Sequence, residues 1–190
     1  MKHKHLFTFC TVAVVAWVLG TCALVYRYPH MFYNAARRAI VKSGLGIKAD
    51  GIPVNTLYAM PALASPSLSK SPWVLTGNRD TLYVVGVLDL GKGPEILHVP
   101  DMAGRYYSIE FVDPRLDIFT DVGRRTTGTR AGDYLISGPH WKGVLPEGVT
   151  KIVSPNNSVL LIGRVLVEGD GDLATASKLE KQIRLTSQNN

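Results

Sequence analysis

The strongest constraint in this chain is a run of twenty residues without a charge, Leu6 to Val25. At about 1.5 Å of rise per residue, a helix over this run is about 30 Å long, the thickness of a bilayer's hydrocarbon core. The run is longer than the apolar core of an ordinary signal peptide, and no clear small-x-small cleavage site follows it, so it predicts an uncleaved membrane-spanning helix. Leu19-Gly20-Thr21-Cys22 loosely resembles a lipoprotein processing site, but threonine is atypical before the cysteine and the run continues through Ala23-Leu24-Val25. Cys22 is therefore read as a helix residue. Lys2, Lys4 and the amino terminus nearly balance Arg27, Arg37 and Arg38, so flanking charge alone gives no orientation.

The formal charge of +6 would invite nucleic acid, yet much of the excess lies in Lys2, Lys4, Arg27, Arg37, Arg38, Lys42 and Lys48, on either side of the apolar run. That is membrane-edge charge; nucleic-acid binding calls for a basic stripe on the folded domain itself. Both cysteines, Cys10 and Cys22, fall inside the run. The rest of the chain has no thiol for a disulfide, a nucleophile or a metal ligand.

Pro29 fits the first turn of a second, amphipathic helix with Met31, Phe32, Ala35, Ala36, Ala39 and Ile40 on its apolar face and Arg37, Arg38 and Lys42 on its basic one, ended by Gly44. Two uses of that face stay open: docking on anionic lipid, or packing on the following domain. Leu45 to Ser71, rich in Pro, Gly and Ser, reads as a lead-in with little regular structure. From there the pattern is strand, turn, strand. The predicted strands are Trp73 to Leu75, Leu82 to Leu90, Glu95 to Val99, Arg105 to Val112, Ile118 to Val122, Tyr134 to Ser137, Val149 to Val153 and Val159 to Val167, joined by connectors such as Gly91-Lys92-Gly93-Pro94 and Pro155-Asn156-Asn157. Asp170 or Asp172 is positioned to cap a closing helix from Leu173 to about Leu185.

Five ordered motifs carry a resemblance: Asn78-Arg79-Asp80-Thr81-Leu82-Tyr83, Val87-Leu88-Asp89-Leu90, Gly104-Arg105-Tyr106-Tyr107-Ser108, Arg125-Thr126-Thr127-Gly128-Thr129 and Gly138-Pro139-His140-Trp141-Lys142-Gly143. On these the chain resembles the bacterial domain-of-unknown-function family 1254 from about Val54 to the helix near Leu179. The resemblance implies an all-β, immunoglobulin-like β-sandwich and little chemistry. Arg130 stands where that family usually has glycine. Many of its members continue into a second β domain, family 1214, so the resemblance also implies a separately encoded partner of that type. The expected organisation is an anchor over 1–27, a juxtamembrane helix and linker over 28–53, and the β domain over 54–190. Together with the envelope character of similar proteins, it places the anchor in a bacterial inner membrane with the domain in the periplasm.

Arg79, Asp80, Arg105, Arg124 and Arg125 are the candidate ligand-binding set, because guanidinium forks take carboxylates or phosphates bidentately. The competing reading makes them turn-fixing ion pairs, above all a buried Arg79–Asp80 pair whose loss would cost a few kcal/mol. Trp73, Tyr83, Tyr106, Tyr107, Tyr134 and Trp141 could supply a stacking platform for sugar rings, though most are expected in the core. Tyr106 and Tyr107, adjacent on a strand, must face opposite sides. Asp113, Asp117 and Asp121 have no EF-hand spacing and read as loop acids. His98 and His140 read as structural, no standard catalytic motif is present, and no cofactor is expected. Function is thus expected to be binding or assembly at the membrane; the alternative is a hydrolase acting on a glycan or ester, with Asp80 and the arginines in its site.

Overall fold

The computed structural model describes residues 2–44, 48, 50–63 and 78–188. The expected strand Trp73 to Leu75 lies outside them.

A single helix α1, Lys2–Ser43, replaces the two expected helices, and Pro29 lies inside it. Proline in a helix interior costs about 3 kcal/mol, since it removes one backbone donor and crowds the preceding turn. The compensation is visible on the far side of Pro29. Tyr33, Ala36 and Ile40 are buried, and Ile52 packs with Tyr33 and Ile40 against Val85, Val87, Val112 and Leu160. Burial of Ile40 and Ile52 alone contributes roughly 1.5–3 kcal/mol each. The docked stripe thus runs Tyr33, Ala36, Ile40, whereas Met31, expected on the apolar face, is exposed. Of the two uses open to that face, α1 makes the second and packs on the β domain. Gly44, with φ +53°, ends the helix as expected. The helix is long and apolar enough to cross a membrane, and its side chains from Thr8 to Tyr28 are exposed.

The described strands are β1 (Leu57–Ala59), β2 (Thr81–Asp89), β3 (Glu95–Val99), β4 (Tyr107–Val112), β5 (Ile118–Gly123), β6 (Gly132–Ser137), β7 (Val149–Val153), β8 (Ser158–Leu166) and β9 (Arg184–Ser187). They form a five-stranded sheet, β1-β2-β8-β4-β5, and a four-stranded sheet, β7-β6-β3-β9. One core lies between them: Leu82, Val84 and Leu88 of β2, Ile109 and Phe111 of β4 and Leu161 and Val165 of β8 share it with Leu97 and Val99 of β3 and Tyr134 and Ile136 of β6. The other face of β2 and β8 carries Val85, Val87 and Leu160 under α1. A strand covered on both faces needs a continuous apolar run rather than alternation, which is what Leu82-Tyr83-Val84-Val85-Gly86-Val87-Leu88 supplies. Gly86 is required because a Cβ there would come within 2.6 Å of the Leu57 side chain and 2.8 Å of the Thr56 carbonyl oxygen.

Among the described strands, all neighbours are antiparallel except β6 and β7. A parallel pair demands a crossover. Residues 138–148 provide it, with Lys151 Nζ held 4.8 Å from the Trp141 ring centre.

Two expected elements need correction. The lead-in is not wholly irregular: it contributes edge strand β1, and Asn55 ties it down by donating to Glu95 Oε1 at 2.7 Å and accepting the Asp89 N–H at 2.6 Å. The closing helix α2 covers Leu173–Glu180 and stops well short of Leu185. The chain then turns through the Ile183 N–H to Glu180 carbonyl bond, and residues 184–187 satisfy the open edge of β3 as β9. A free edge carries unpaired donors and acceptors, which is why tertiary pairing wins over the helical pattern here. Asp172 occupies the N-cap position of α2 but makes no capping bond. Its carboxylate instead accepts both arms of the Arg105 guanidinium and the Glu168 N–H.

Two carboxyl groups around α2 make stability depend on pH in opposite directions. Burial pushes Glu180 up to about 8, its Oε1 accepting the Met60 N–H at 3.0 Å. The unfolded chain then releases this proton from about pH 4.5 upward while the folded chain keeps it, so stability falls as pH rises toward 8, by at most about 1.4 kcal/mol per unit. The Arg105 bond holds Asp172 down to about 2, so its contribution is complete above the ordinary aspartate range and lost as pH falls toward 2. Denaturant titrations across pH are expected to show Glu180→Gln flattening the alkaline limb and Asp172→Asn flattening the acid limb. Unchanged limbs in the two variants would contradict these assignments.

Candidate functional site

At the end of the five-stranded sheet that α1 leaves uncovered, an open groove of about 510 Å³ is lined by Asn78, Arg79, Asp80, Thr81, Tyr83, Tyr106 and Arg164. Its floor follows from register. Tyr83 on β2 stands directly opposite Arg164 on β8, and β4 brings Ser108 opposite Arg164 from the other side. The Arg164 guanidinium lies 5.6 Å from the Tyr83 ring centre, and that of Arg125 lies 5.7 Å from the ring centre of Tyr106. Each cation is held over an aromatic face, an attraction worth about 0.5–1 kcal/mol at exposed sites and more where water is excluded.

Asn78 shapes the rim. Its Oδ1 accepts the N–H groups of Asp80 and Thr81 at 3.2 and 3.0 Å, and its Nδ2 donates to Thr81 Oγ1 at 2.6 Å. An asparagine side chain bonding its own backbone two or three residues on is the expected turn chemistry. The second polar segment folds in a similar way, with the N–H groups of Thr126, Thr127 and Gly128 all reaching the Gly123 carbonyl at 2.8 to 3.1 Å. That turn carries Arg125 to Tyr106, so the two segments meet at the groove.

The five candidate residues divide. Arg79 and Asp80 line the groove, and Arg125 reaches it through Tyr106. Arg105 does not: both of its terminal nitrogens are engaged, by Asp172 and by the Leu166 carbonyl at 2.7 Å, so it ties β4 to the segment before α2. Arg124 is exposed and is not among the lining residues, and the same holds for Arg130. The buried Arg79–Asp80 pair is also corrected. Both residues are exposed, and among the described residues they form no ion pair with each other. The turn is held by Asn78, which leaves both charges at the surface.

Sequence reasoning missed Arg164. The available signal was a lone cation inside the apolar strand Leu160-Leu161-Ile162-Gly163-Arg164-Val165, which only cross-strand register converts into a position beside Tyr83. Its Nε is buried without a hydrogen-bond partner among the described residues, as is the Oγ of its neighbour Ser108. Of the aromatic set, Tyr107 and Tyr134 belong to the core while Tyr83 and Tyr106 face the groove. Tyr106 and Tyr107 do face opposite sides. Trp73 lies outside the described residues, and Trp141 belongs to the β6–β7 crossover.

Among the described residues that line the groove, Asp80 is the one carboxylate. Glu110 and Asp121 stand opposite each other on β4 and β5 but do not line it. Asp113 is a turn residue that accepts the N–H groups of Arg115 at 2.7 Å and Asp117 at 3.2 Å. Among the described residues no group of three His, Cys, Asp or Glu side chains is arranged to hold a metal ion. His98 Nδ1 bonds Asp133 Oδ1 at 2.7 Å across β3 and β6, on the other sheet.

The chain is similar over 87% of its length to the VPA0106 protein of Vibrio parahaemolyticus, at 26% identity and a TM-score of 0.68, and it spans 36% of that longer chain. A weaker likeness, 10% identity and a TM-score of 0.42 over 71% of the chain and 34% of the other, links it to an uncharacterised protein from Burkholderia cenocepacia. Comparison with curated proteins gives no match. The model of the family described as "Protein of unknown function (DUF1254)" matches residues 54–187, so the chain belongs to that family.

Proposed function

We propose that this protein is a single-pass, membrane-anchored binding module whose β domain takes an anionic group in the groove. The observation that carries the reading is the pair of arginines, Arg125 and Arg164, each seated over a tyrosine ring beside the exposed Arg79. Stacking leaves the guanidinium edge free to donate, and Asp80 is one lining carboxylate against this group of cations. The same stacking occupies the faces that a sugar ring would use, so the aromatic residues serve the arginines rather than a carbohydrate platform. A hydrolase of the paired-carboxylate kind has less support, because its second acid has no counterpart among the described residues that line the groove.

The anchor is α1, with the domain on the periplasmic face of an inner membrane, and the two sheets form a sandwich of immunoglobulin-like character. Two sheets on one core and an exposed apolar helix of spanning length support these readings. A separately encoded β-domain partner, of the type that the family 1214 resemblance implies, has its support in exposed apolar side chains of the crossover and β7. Val144 and Leu145 are 85% and 40% exposed on the crossover, and Val153 is 53% exposed on the adjoining edge strand β7. Exposed apolar side chains suit an interface centre from which charges are excluded.

Calorimetric titration of the detergent-solubilised full chain with inorganic phosphate, citrate and glucuronate tests the groove. At least one of these anions is expected to bind, and Arg164→Met and Arg125→Ala are each expected to weaken it by about tenfold or more, the worth of a hydrogen bond to a charged group. Binding indifferent to both substitutions, or no binding of any of the three, would count against the proposal.

A further inference from the structure

The β4–β5 hairpin lies against the part of α1 that emerges from the apolar run. Val112, the last residue of β4, packs in the same cluster as Tyr33. The Tyr33 hydroxyl bonds Ser158 Oγ at 2.9 Å, and Asp113, the first residue of the turn, directly follows Val112. Asn156 Nδ2 completes the arrangement by donating to Asp113 Oδ2 at 3.2 Å. The base of the hairpin is therefore fixed beside Tyr33. Tyr33 follows Val25 by eight residues, which is about 12 Å along the helix.

The tip carries the wrong residues for a turn in water. Leu116 is held at φ +68°, a conformation that leucine rarely adopts, and is 37% exposed. Ile118 follows at 56% exposed, with Arg115 and Asp117 also exposed between and beside them. On α1 the matching stretch shows Tyr26, Tyr28 and Met31 to solvent. Aromatic and basic residues at the end of an apolar span are the usual composition of the headgroup layer, which adds about 5–8 Å to each side of the hydrocarbon.

We infer that the hairpin tip, Arg115 to Ile118, is a second membrane contact that rests in the headgroup layer of the bilayer α1 enters. The bilayer is the occupant because the exposed apolar tip is continuous, through Tyr33, with the helix that leads into it. Arg115 and Asp117 offset each other, so the contact is apolar insertion rather than attraction to anionic lipid. Tyr106 and the groove lie at the opposite end of β4, a strand of six residues or about 20 Å. With the tip seated, rotation of the domain about α1 is restrained and the groove faces away from the membrane.

This rests on the reading of α1 as the anchor, and the test separates the two. The full chain is reconstituted in vesicles of phosphatidylcholine and phosphatidylglycerol with a nitroxide on one cysteine at a time. The sites are native Cys22, and Leu116→Cys, Ile118→Cys or Val144→Cys in a chain whose two native cysteines are replaced by serine. Accessibility to oxygen relative to a water-soluble nickel chelate is the readout. Labels at 116 and 118 are expected to favour oxygen several-fold over the label at 144. If they match position 144 while Cys22 reports the bilayer interior, the second contact is refuted and the anchor stands. Shielding of 116 and 118 from both reagents would refute it in favour of a protein–protein contact, and an aqueous reading at Cys22 would overturn the anchor and the inference together.

Discussion

The burial of Tyr33, Ala36 and Ile40 on the outer face of the five-stranded sheet is the interaction on which the remaining architecture depends. It lets one helix continue through Pro29, because the burial of Ile40 and Ile52 together outweighs the roughly 3 kcal/mol that an interior proline costs. It also explains why β2 and β8 are apolar on both faces. Val85, Val87 and Leu160 would otherwise be a hydrophobic surface left to water on a sheet whose other side already forms the core.

The same docking decides where a ligand can approach. The helix covers one end of the sheet, and among the described residues the outer face opens into a groove where β2 begins and β8 ends. There the side chains change from aliphatic to Tyr83, Arg164 and Tyr106. Strand register, rather than any local motif, assembles this group: residue 83 opposite 164 on one side and residue 108 opposite 164 on the other. Arg105 shows the opposite outcome for the same residue type. Two residues before β4, it is drawn to Asp172 and the Leu166 carbonyl and becomes a tie between the sheet and the start of α2.

What the sequence disclosed follows from how local each determinant is. The runs for β2, β3, β7 and β8 were legible because continuous or alternating apolar residues end in glycine, proline and asparagine turns. The edge strands β1 and β9 were not, since Leu57–Ala59 and Arg184–Ser187 are extended only because β2 and β3 offer them unpaired backbone. Proline at 29 signalled a helix start, and only the distant contacts of Tyr33 and Ile40 reverse that reading. At the groove, Arg79 and Asp80 could be found from their turn, but their expected pairing could not survive once Asn78 took over the turn's hydrogen bonds. Arg164 required knowledge of a partner strand some eighty residues away.

The central claim, that one unbroken helix both enters the membrane and is docked on the β domain, is tested most directly by hydrogen exchange on the full chain in lipid nanodiscs. Peptides spanning residues 30–43 are predicted to be protected to the same degree as those from β2 and β8, because the three share one buried cluster and open together. Rapid exchange over 30–43 beside a protected sheet would reveal a hinge at Pro29 and contradict the account.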